Sequence, residues 1–275
     1  MAFSGACFVC AISLIFVGGF PAPTLLLASA TGILAIHLID SVHSASREDM
    51  ISQPRRAKLY RAWRVPALVL SGLLLILTGM FLIVAGTQLW VLLCFGMLGL
   101  LAASYVFPLF SLFQREAGRL GSLKDLARLK PLSISFAWLV GAFLVALSQP
   151  HSEGQAPGAG VILSLILTAF PLLLLDSIWL DRRDRLADES YDRRTFAVRM
   201  SKGSFRVVCL SLYLVPIFGV LCSVTGLHGF IIGGMAGAFL MIVLEPDQIR
   251  SESLRVVLAG LWRVTSLLGL LLFLS

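Results

Sequence analysis

The sequence predicts an all-α protein, a polytopic membrane bundle of about nine transmembrane helices. Hydrophobic residues make up 58% of the 275 residues and charged residues only 13%, which is about half the charged fraction of a soluble domain. The apolar residues also fall into long runs, and a spanning helix needs about 20 of them. Composition and pattern together exclude a soluble enzyme, a disordered chain and a disulfide scaffold.

Nine apolar segments are candidate spans. They cover residues 4–20, 24–42, 65–86, 89–106, 131–148, 160–180, 205–223, 229–244 and 254–274. The first begins almost at Met1 with no basic stretch before it, so a cleaved signal peptide is not expected. The hydrophilic stretches between the segments are too short for a separate soluble domain, so residues 1–275 are predicted to form one transmembrane domain.

Basic residues are concentrated in alternate connections. The segments 43–64, 107–130 and 181–203 hold six, five and seven of them, and none occurs at 20–24, 87–89, 149–160 or 224–228. With nine spans, all the basic segments lie on one face. The positive-inside rule makes that face cytoplasmic, with the N-terminus inside and the C-terminus outside, and the cell membrane is the expected location. The net charge of +7 then reflects orientation and contact with membrane lipid, and nucleic acid is not an expected partner.

A stripe of carboxylates follows the sixth segment. At about 100° per residue, Asp181, Asp184 and Asp188 fall within about 60° of arc on a helix. Like charges this close repel unless a cation neutralises them, and carboxylate oxygens suit Mg²⁺, which often bridges to phosphates. The alternative is a solvated helix whose mixed charges form i,i+4 pairs. Asp176 lies deeper, inside the apolar segment, where a carboxylate usually faces the bundle interior and favours a polar cavity.

A second polar cluster lies at the end of the second segment and is expected on the same side of the membrane. Its members share about 120° of a helix: they are His37, Asp40, His43, Ser44 and Arg47. Three interpretations remain open. The cluster is half of a magnesium–diphosphate site, a His-Asp-His transition-metal site, or the polar end of a helix at the interface.

The carboxylate stripe resembles the second aspartate-rich motif of the UbiA-type intramembrane prenyltransferase superfamily. The spacing Asp181-x-x-Asp184-x-x-x-Asp188 is followed seven residues later by Thr195-Phe196-Ala197-Val198. The family's loop between helices four and five is similar to Tyr105-Val106-Phe107-Pro108, then Leu123-Lys124-Asp125-Leu126 and Leu129-Lys130-Pro131, which lead to Ala137-Trp138. The resemblance covers nearly the whole chain and implies a UbiA-like fold.

The resemblance also implies an activity. Members of this family transfer an isoprenyl group from a prenyl diphosphate to a lipophilic, often aromatic, acceptor, and two aspartate motifs hold Mg²⁺ against the diphosphate. Carried over to this sequence, the metal ligands are Asp40, Asp181, Asp184 and Asp188, of which Asp184 and Asp188 are the catalytic pair. The diphosphate contacts are Lys124, Lys130 and Arg47, and His37 and His43 are remnants of the first motif.

The first motif departs from the family pattern. Its Asn is replaced by Ile39, its second Asp by His43 and its third by Arg47, so only Asp40 remains. The family's Arg-Pro entry before helix one is absent, because the chain begins inside that helix. These departures keep other hypotheses open: a catalytically inactive relative that binds a lipid or a partner, a membrane terpene cyclase of the same fold, and a transporter.

Overall fold

The computed structural model describes residues 2–44, 54–106, 130–149, 157–183, 185, 189, 196–222, 227–246, 249 and 251–274. Regular secondary structure in these ranges is entirely helical, which confirms the all-α prediction for them. The helices are α1 (Ala2–Val17), α2 (Pro23–Ser44), α3 (Pro54–Ala62), α4 (Arg64–Val84), α5 (Leu89–Val106), α6 (Lys130–Leu147), α7 (Ala159–Arg183), α8 (Phe196–Arg199), α9 (Lys202–Leu214), α10 (Pro216–Cys222), α11 (His228–Val243) and α12 (Glu252–Leu274).

Six helical stretches of the described chain are long and apolar enough to cross a membrane, which indicates a membrane protein. They are Pro23–Val42, Arg64–Val84, Lys130–Leu147, Ala159–Arg182, Lys202–Val220 and Ser253–Leu274. The other three predicted spans coincide with shorter apolar helices, at Phe3–Val17, Leu89–Ala102 and His228–Val243. Every predicted span therefore contains an apolar helix, while the count of nine crossings stays a prediction.

Two glycines end helices and close tight connections. Gly18 and Gly86 both have a φ of +69°, a left-handed conformation that glycine adopts without a steric penalty. The N–H of Gly18 donates to the carbonyl of Leu14 at 3.0 Å, and that of Gly86 donates to Ile83 at 2.9 Å. These turns explain why α1 runs directly into α2 and α4 into α5.

The structure adds two features that the sequence prediction lacked. The segment 43–64 contains the short helix α3, which precedes α4. The predicted span 205–223 begins earlier, with α9, and is interrupted at Val215, where α9 gives way to α10. Pro216 explains the interruption, because its ring clashes with the preceding turn and it has no backbone N–H to donate.

The core of the bundle surrounds α7. This helix is the most buried of the six long apolar stretches, and its Trp179 is fully buried. Phe8 of α1 and Trp262 of α12 are also fully buried, and their rings meet edge to face with centroids 5.6 Å apart. The indole N–H of Trp179 donates to the carbonyl of Leu244 at 3.1 Å, so α7 is fixed against the end of α11.

Helices α11 and α12 pack tightly against each other along their length. A Cβ built on Gly233 would lie 2.1 Å from the carbonyl oxygen of Thr265, and one on Gly269 would lie 2.2 Å from that of Gly229. Only hydrogen fits at these positions, so the two backbones are in direct contact. Small residues allow such an approach between membrane helices, where packing replaces the hydrophobic driving force.

Candidate functional site

An apolar cavity of about 350 Å³ lies between α1, α2, α4, α5 and α6. Its volume is at the low end of the range for ligand pockets. Hydrophobic side chains and glycines form most of its wall. The polar and aromatic residues that also line it are Ser29, His37, Asp40, Thr78, Phe95, Ser133 and Trp138.

Three of the five polar lining residues lie near the ends of their helices. His37 and Asp40 lie on the last turns of α2, and Ser133 lies on the first turn of α6. The lining residues of α2 recur every three or four positions, from Ala28 to Asp40, which places the two titratable residues on the same stripe as the apolar wall. We define His37, Asp40 and Ser133, which lie near the end of α2 and the start of α6, as the polar mouth of this cavity.

The second predicted cluster is described only in part. His37 and Asp40 are half-buried and line the cavity together. The side chains of His43 and Ser44, and the whole of Arg47, lie outside the described residues. An imidazole and a carboxylate of this cluster therefore line the cavity. This placement is compatible with each of the three interpretations of the cluster.

The end of the carboxylate stripe nearest the membrane contacts α6. Lys130 Nζ lies 2.7 Å from Asp181 Oδ1, and both side chains are largely buried. Sequence reasoning assigned these residues separate partners, a metal ion for Asp181 and a diphosphate for Lys130. In the structure they contact each other, one helical turn from Ser133 of the polar mouth.

The other two carboxylates of the stripe, Asp184 and Asp188, lie outside the described residues, as does the predicted diphosphate contact Lys124. Within the described ranges, no three His, Cys, Asp or Glu side chains lie close enough to hold one metal ion. Arg185 and Glu189 are described, and the arginine Nε donates to a glutamate oxygen at 2.6 Å. This is the i,i+4 pair that the alternative of a solvated, mixed-charge helix predicts.

Arg182 belongs to the packing of the bundle. Its side chain is 3% exposed, its Nη1 donates to the carbonyl of Met200 at 3.1 Å, and its guanidinium lies 5.2 Å from the ring centroid of Phe205. Its buried contacts connect the end of α7 to the start of α9.

An ion cluster connects the start of α9 to the end of α11. Lys202 Nζ lies 2.7 Å from a carboxylate oxygen of Glu245, and Arg206 donates to the other oxygen. The hydrogen bond from Lys202 is the main reason why the pKa of Glu245 lies below its usual value, and Arg206 adds to the effect. The cluster fixes the start of α9 against the end of α11.

Asp176 lies in the bundle interior and is paired. It is 3% exposed, and its Oδ2 accepts hydrogen bonds from Arg263 and, at 3.1 Å, from the indole N–H of Trp262. Ser177 Oγ lies 3.4 Å from Oδ1. Sequence reasoning placed Asp176 toward the bundle interior but did not identify Arg263 as its partner. The available signal was that these two residues are the opposite charges deepest within the apolar segments.

Trp138 connects this ion pair to the cavity. The guanidinium of Arg263 lies over its ring, 4.5 Å from the centroid, and Trp138 lines the cavity. Neither Asp176 nor Arg263 is among the residues that line this cavity, and the two are paired with each other.

No protein-family model, curated protein or solved structure matches this chain.

Proposed function

We propose that this chain is an integral membrane prenyltransferase with a UbiA-like fold. It transfers an isoprenyl group from a prenyl diphosphate to a lipophilic acceptor and uses Mg²⁺. One observation carries the proposal: Ser133, which lines the apolar cavity, lies one helical turn from Lys130, which pairs with Asp181. A ligand with a long apolar tail and an anionic head matches this distribution of polarity.

The charged residues at the mouth suit the head group. An ammonium group has three donors, so Lys130 can keep its contact with Asp181 and also donate to a phosphate oxygen. Asp40 and Asp181 supply carboxylate oxygens, the ligand type that Mg²⁺ prefers, and the resemblance adds Asp184 and Asp188. Bound there, the metal ion supplies Lewis-acid stabilisation of the departing diphosphate.

The apolar wall suits the chemistry of the tail. The carbon–oxygen bond of the prenyl diphosphate breaks, and its electron pair leaves with the diphosphate. The acceptor then attacks the allylic carbon and loses a proton. An apolar chamber excludes the water that would otherwise capture the allylic cation.

The proposal includes an orientation. Nine helices cross the cell membrane, with the N-terminus and the polar mouth on the cytoplasmic side and the C-terminus outside. The basic segments 43–64, 107–130 and 181–203 support it, because they connect the helix ends that surround the mouth.

The first prediction tests the diphosphate site. Thermal unfolding of the detergent-purified protein is measured with geranyl, farnesyl and geranylgeranyl diphosphate, each with and without Mg²⁺. We expect stabilisation by about 2.7 kcal/mol at a hundredfold excess over Kd, only when Mg²⁺ is present. The variant Asp184→Asn/Asp188→Asn should lose this stabilisation.

Glu189→Gln is the matched control, because Glu189 belongs to the same segment but is paired with Arg185. It should keep the stabilisation by ligand. Folded wild-type protein that responds to none of the three diphosphates would refute the proposed donor. A response that survives in the Asp184→Asn/Asp188→Asn variant would place the diphosphate elsewhere.

The second prediction tests whether the cavity holds the tail. Gly99 lines the cavity, and a Cβ there would meet nothing within 4 Å, so Gly99→Phe should fill the space without disturbing its own helix. We expect the Kd for the preferred diphosphate to rise by at least about tenfold, a loss of about 1.4 kcal/mol. Isothermal titration calorimetry measures it.

Gly96→Phe is the control, since Gly96 lies one turn earlier on α5, also has open space at its Cβ, and is not among the lining residues. The Kd of the Gly96→Phe variant for the same diphosphate should stay close to that of the wild type. Equal affinities of the two variants would show that the tail binds outside the cavity.

A second candidate function is a lipid-binding relative without chemistry. The Arg185–Glu189 and Lys130–Asp181 pairs favour it, because they neutralise carboxylates without a metal ion. It predicts ligand binding with no release of diphosphate under any condition. A terpene cyclase would instead release diphosphate without any acceptor.

A further inference from the structure

A buried network joins four helices beside the cavity. Arg263 of α12 donates to Asp176 of α7, and its guanidinium lies 4.5 Å from the ring centroid of Trp138 on α6 and 5.5 Å from that of Trp262. Trp262 in turn packs against Phe8 of α1. The guanidinium therefore lies between an anion and two aromatic faces, an arrangement suited to arginine because its charged group is planar.

Stability alone does not account for this arrangement. Asp176 and Arg263 are 3% and 2% exposed, and a buried ion pair is often no more stable than apolar residues of similar volume. In the part of the chain that the structure describes, Nε and Nη1 of Arg263 are also buried without a hydrogen-bond partner. Such unmet donors cost free energy, which suggests that the arginine is placed for another reason.

The network and the cavity share Trp138, which lines the cavity and touches Arg263. Its ring also packs against α1, where a Cβ on Gly5 would lie only 2.8 Å from Cη2. With α1 against the ring and the guanidinium over it, the indole has little room to change rotamer. Its position in turn defines part of the cavity wall.

We propose that Arg263, held by Asp176, is a positioning residue that fixes Trp138 as a wall of the cavity and so sets which length of apolar chain fits. This rests on the proposed function for the identity of the ligand. The reasoning is steric: a fixed wall rejects a chain that is too long, whereas a mobile ring yields to it.

The test uses the double variant Asp176→Asn/Arg263→Met. It removes both charges together, keeps an amide oxygen as acceptor for Trp262, and fills the space of the arginine stem with a flexible apolar chain. The position of Trp138 is followed by ¹⁹F NMR of protein labelled with 5-fluorotryptophan, with Trp138→Phe used to assign its line. Trp179, buried but outside the network, provides the internal control.

We expect the Trp138 line to shift or broaden in the double variant while the Trp179 line stays unchanged. In parallel, affinities for geranyl, farnesyl and geranylgeranyl diphosphate are measured for wild type and variant. The ratio between the best and the next ligand should fall by about tenfold. If the double variant does not fold, Arg263→Lys replaces it, because lysine keeps the charge opposite Asp176 but has no planar group to cover the ring.

Two outcomes would overturn the inference: an unchanged Trp138 line in folded variant protein, or a changed line with an unchanged order and ratio of affinities. Failure of the proposed function is distinguishable from both. If wild-type protein binds none of the diphosphates, the ligand part of the inference fails with the proposed function, while the NMR experiment still decides whether Arg263 fixes Trp138.

Discussion

Replacing Gly233 with alanine is expected to destabilise the protein by more than about 3 kcal/mol, at the upper end of the range for overpacking. The added Cβ would lie 2.1 Å from the carbonyl oxygen of Thr265 and 2.8 Å from its carbonyl carbon. These are backbone atoms, so no rotamer change relieves the clash. Helices α11 and α12 would have to move apart along their shared length.

The same contact recurs along the pair. A Cβ on Gly229 would lie 2.4 Å from the carbonyl oxygen of Gly269, and one on Gly237 would lie 2.2 Å from Thr265 Oγ1. Separation at Gly233 therefore loosens packing over several turns. Since α12 also carries Trp262 and Arg263, we expect the loss to extend to the centre of the bundle.

Thermal unfolding in detergent, followed by circular dichroism, measures the effect of Gly233→Ala. Gly72→Ala on α4 is the matched control, because a Cβ there meets nothing within 4 Å. The same chemical change should then be neutral or stabilise the helix by up to about 1 kcal/mol. Similar melting temperatures for the two variants would contradict the close approach of α11 and α12.

Much of the fold could be predicted because hydropathy is a local property of the sequence. Each of the nine predicted segments contains an apolar helix, and Gly18 and Gly86 end helices close to the predicted ends of the first and third segments. Helix α3 was not predicted, because a short basic segment between two spans carries no apolar periodicity. The interruption at Val215 was missed although Pro216 signals it, because the apolar run continues on both sides of this position.

The site was less predictable, because it depends on how helices face each other. Periodicity placed His37 and Asp40 on one face of α2, and both line the cavity. No pattern within one segment shows that Asp181 contacts Lys130, since that requires the relative rotation of α6 and α7. The roles of Asp184 and Asp188 remain predictions from the resemblance.

The Asp176–Arg263 pair illustrates the same limit. The cost of a charge in lipid predicts that each residue faces the interior, but it does not name the partner. Two buried charges of opposite sign in different spans are nevertheless natural candidates for a pair, because each one neutralises the charge that makes the other costly to bury. The pairing in turn makes a quantitative prediction about single and double substitutions.

Each single substitution at this pair is expected to cost about 3–5 kcal/mol, because it leaves one buried charge without its counterion. Arg263→Met leaves the carboxylate of Asp176 with hydrogen bonds from Trp262 and Ser177 only. Asp176→Asn leaves the guanidinium between two aromatic rings with no anion. The double variant Asp176→Asn/Arg263→Met carries neither charge, so most of the lost stability should return.

Thermal unfolding of the three variants and the wild type forms a double-mutant cycle, which isolates the interaction between the two side chains. We expect the double variant to be more stable than either single variant. Additive losses would mean that the two side chains act independently, and would contradict the buried pair. A single variant as stable as the wild type would mean that water or lipid head groups reach the remaining charge.

The recovery in the double variant also separates the effect of the pair on stability from its effect on the position of Trp138. A folded protein without the pair lets the Trp138 wall be tested while the rest of the bundle is kept.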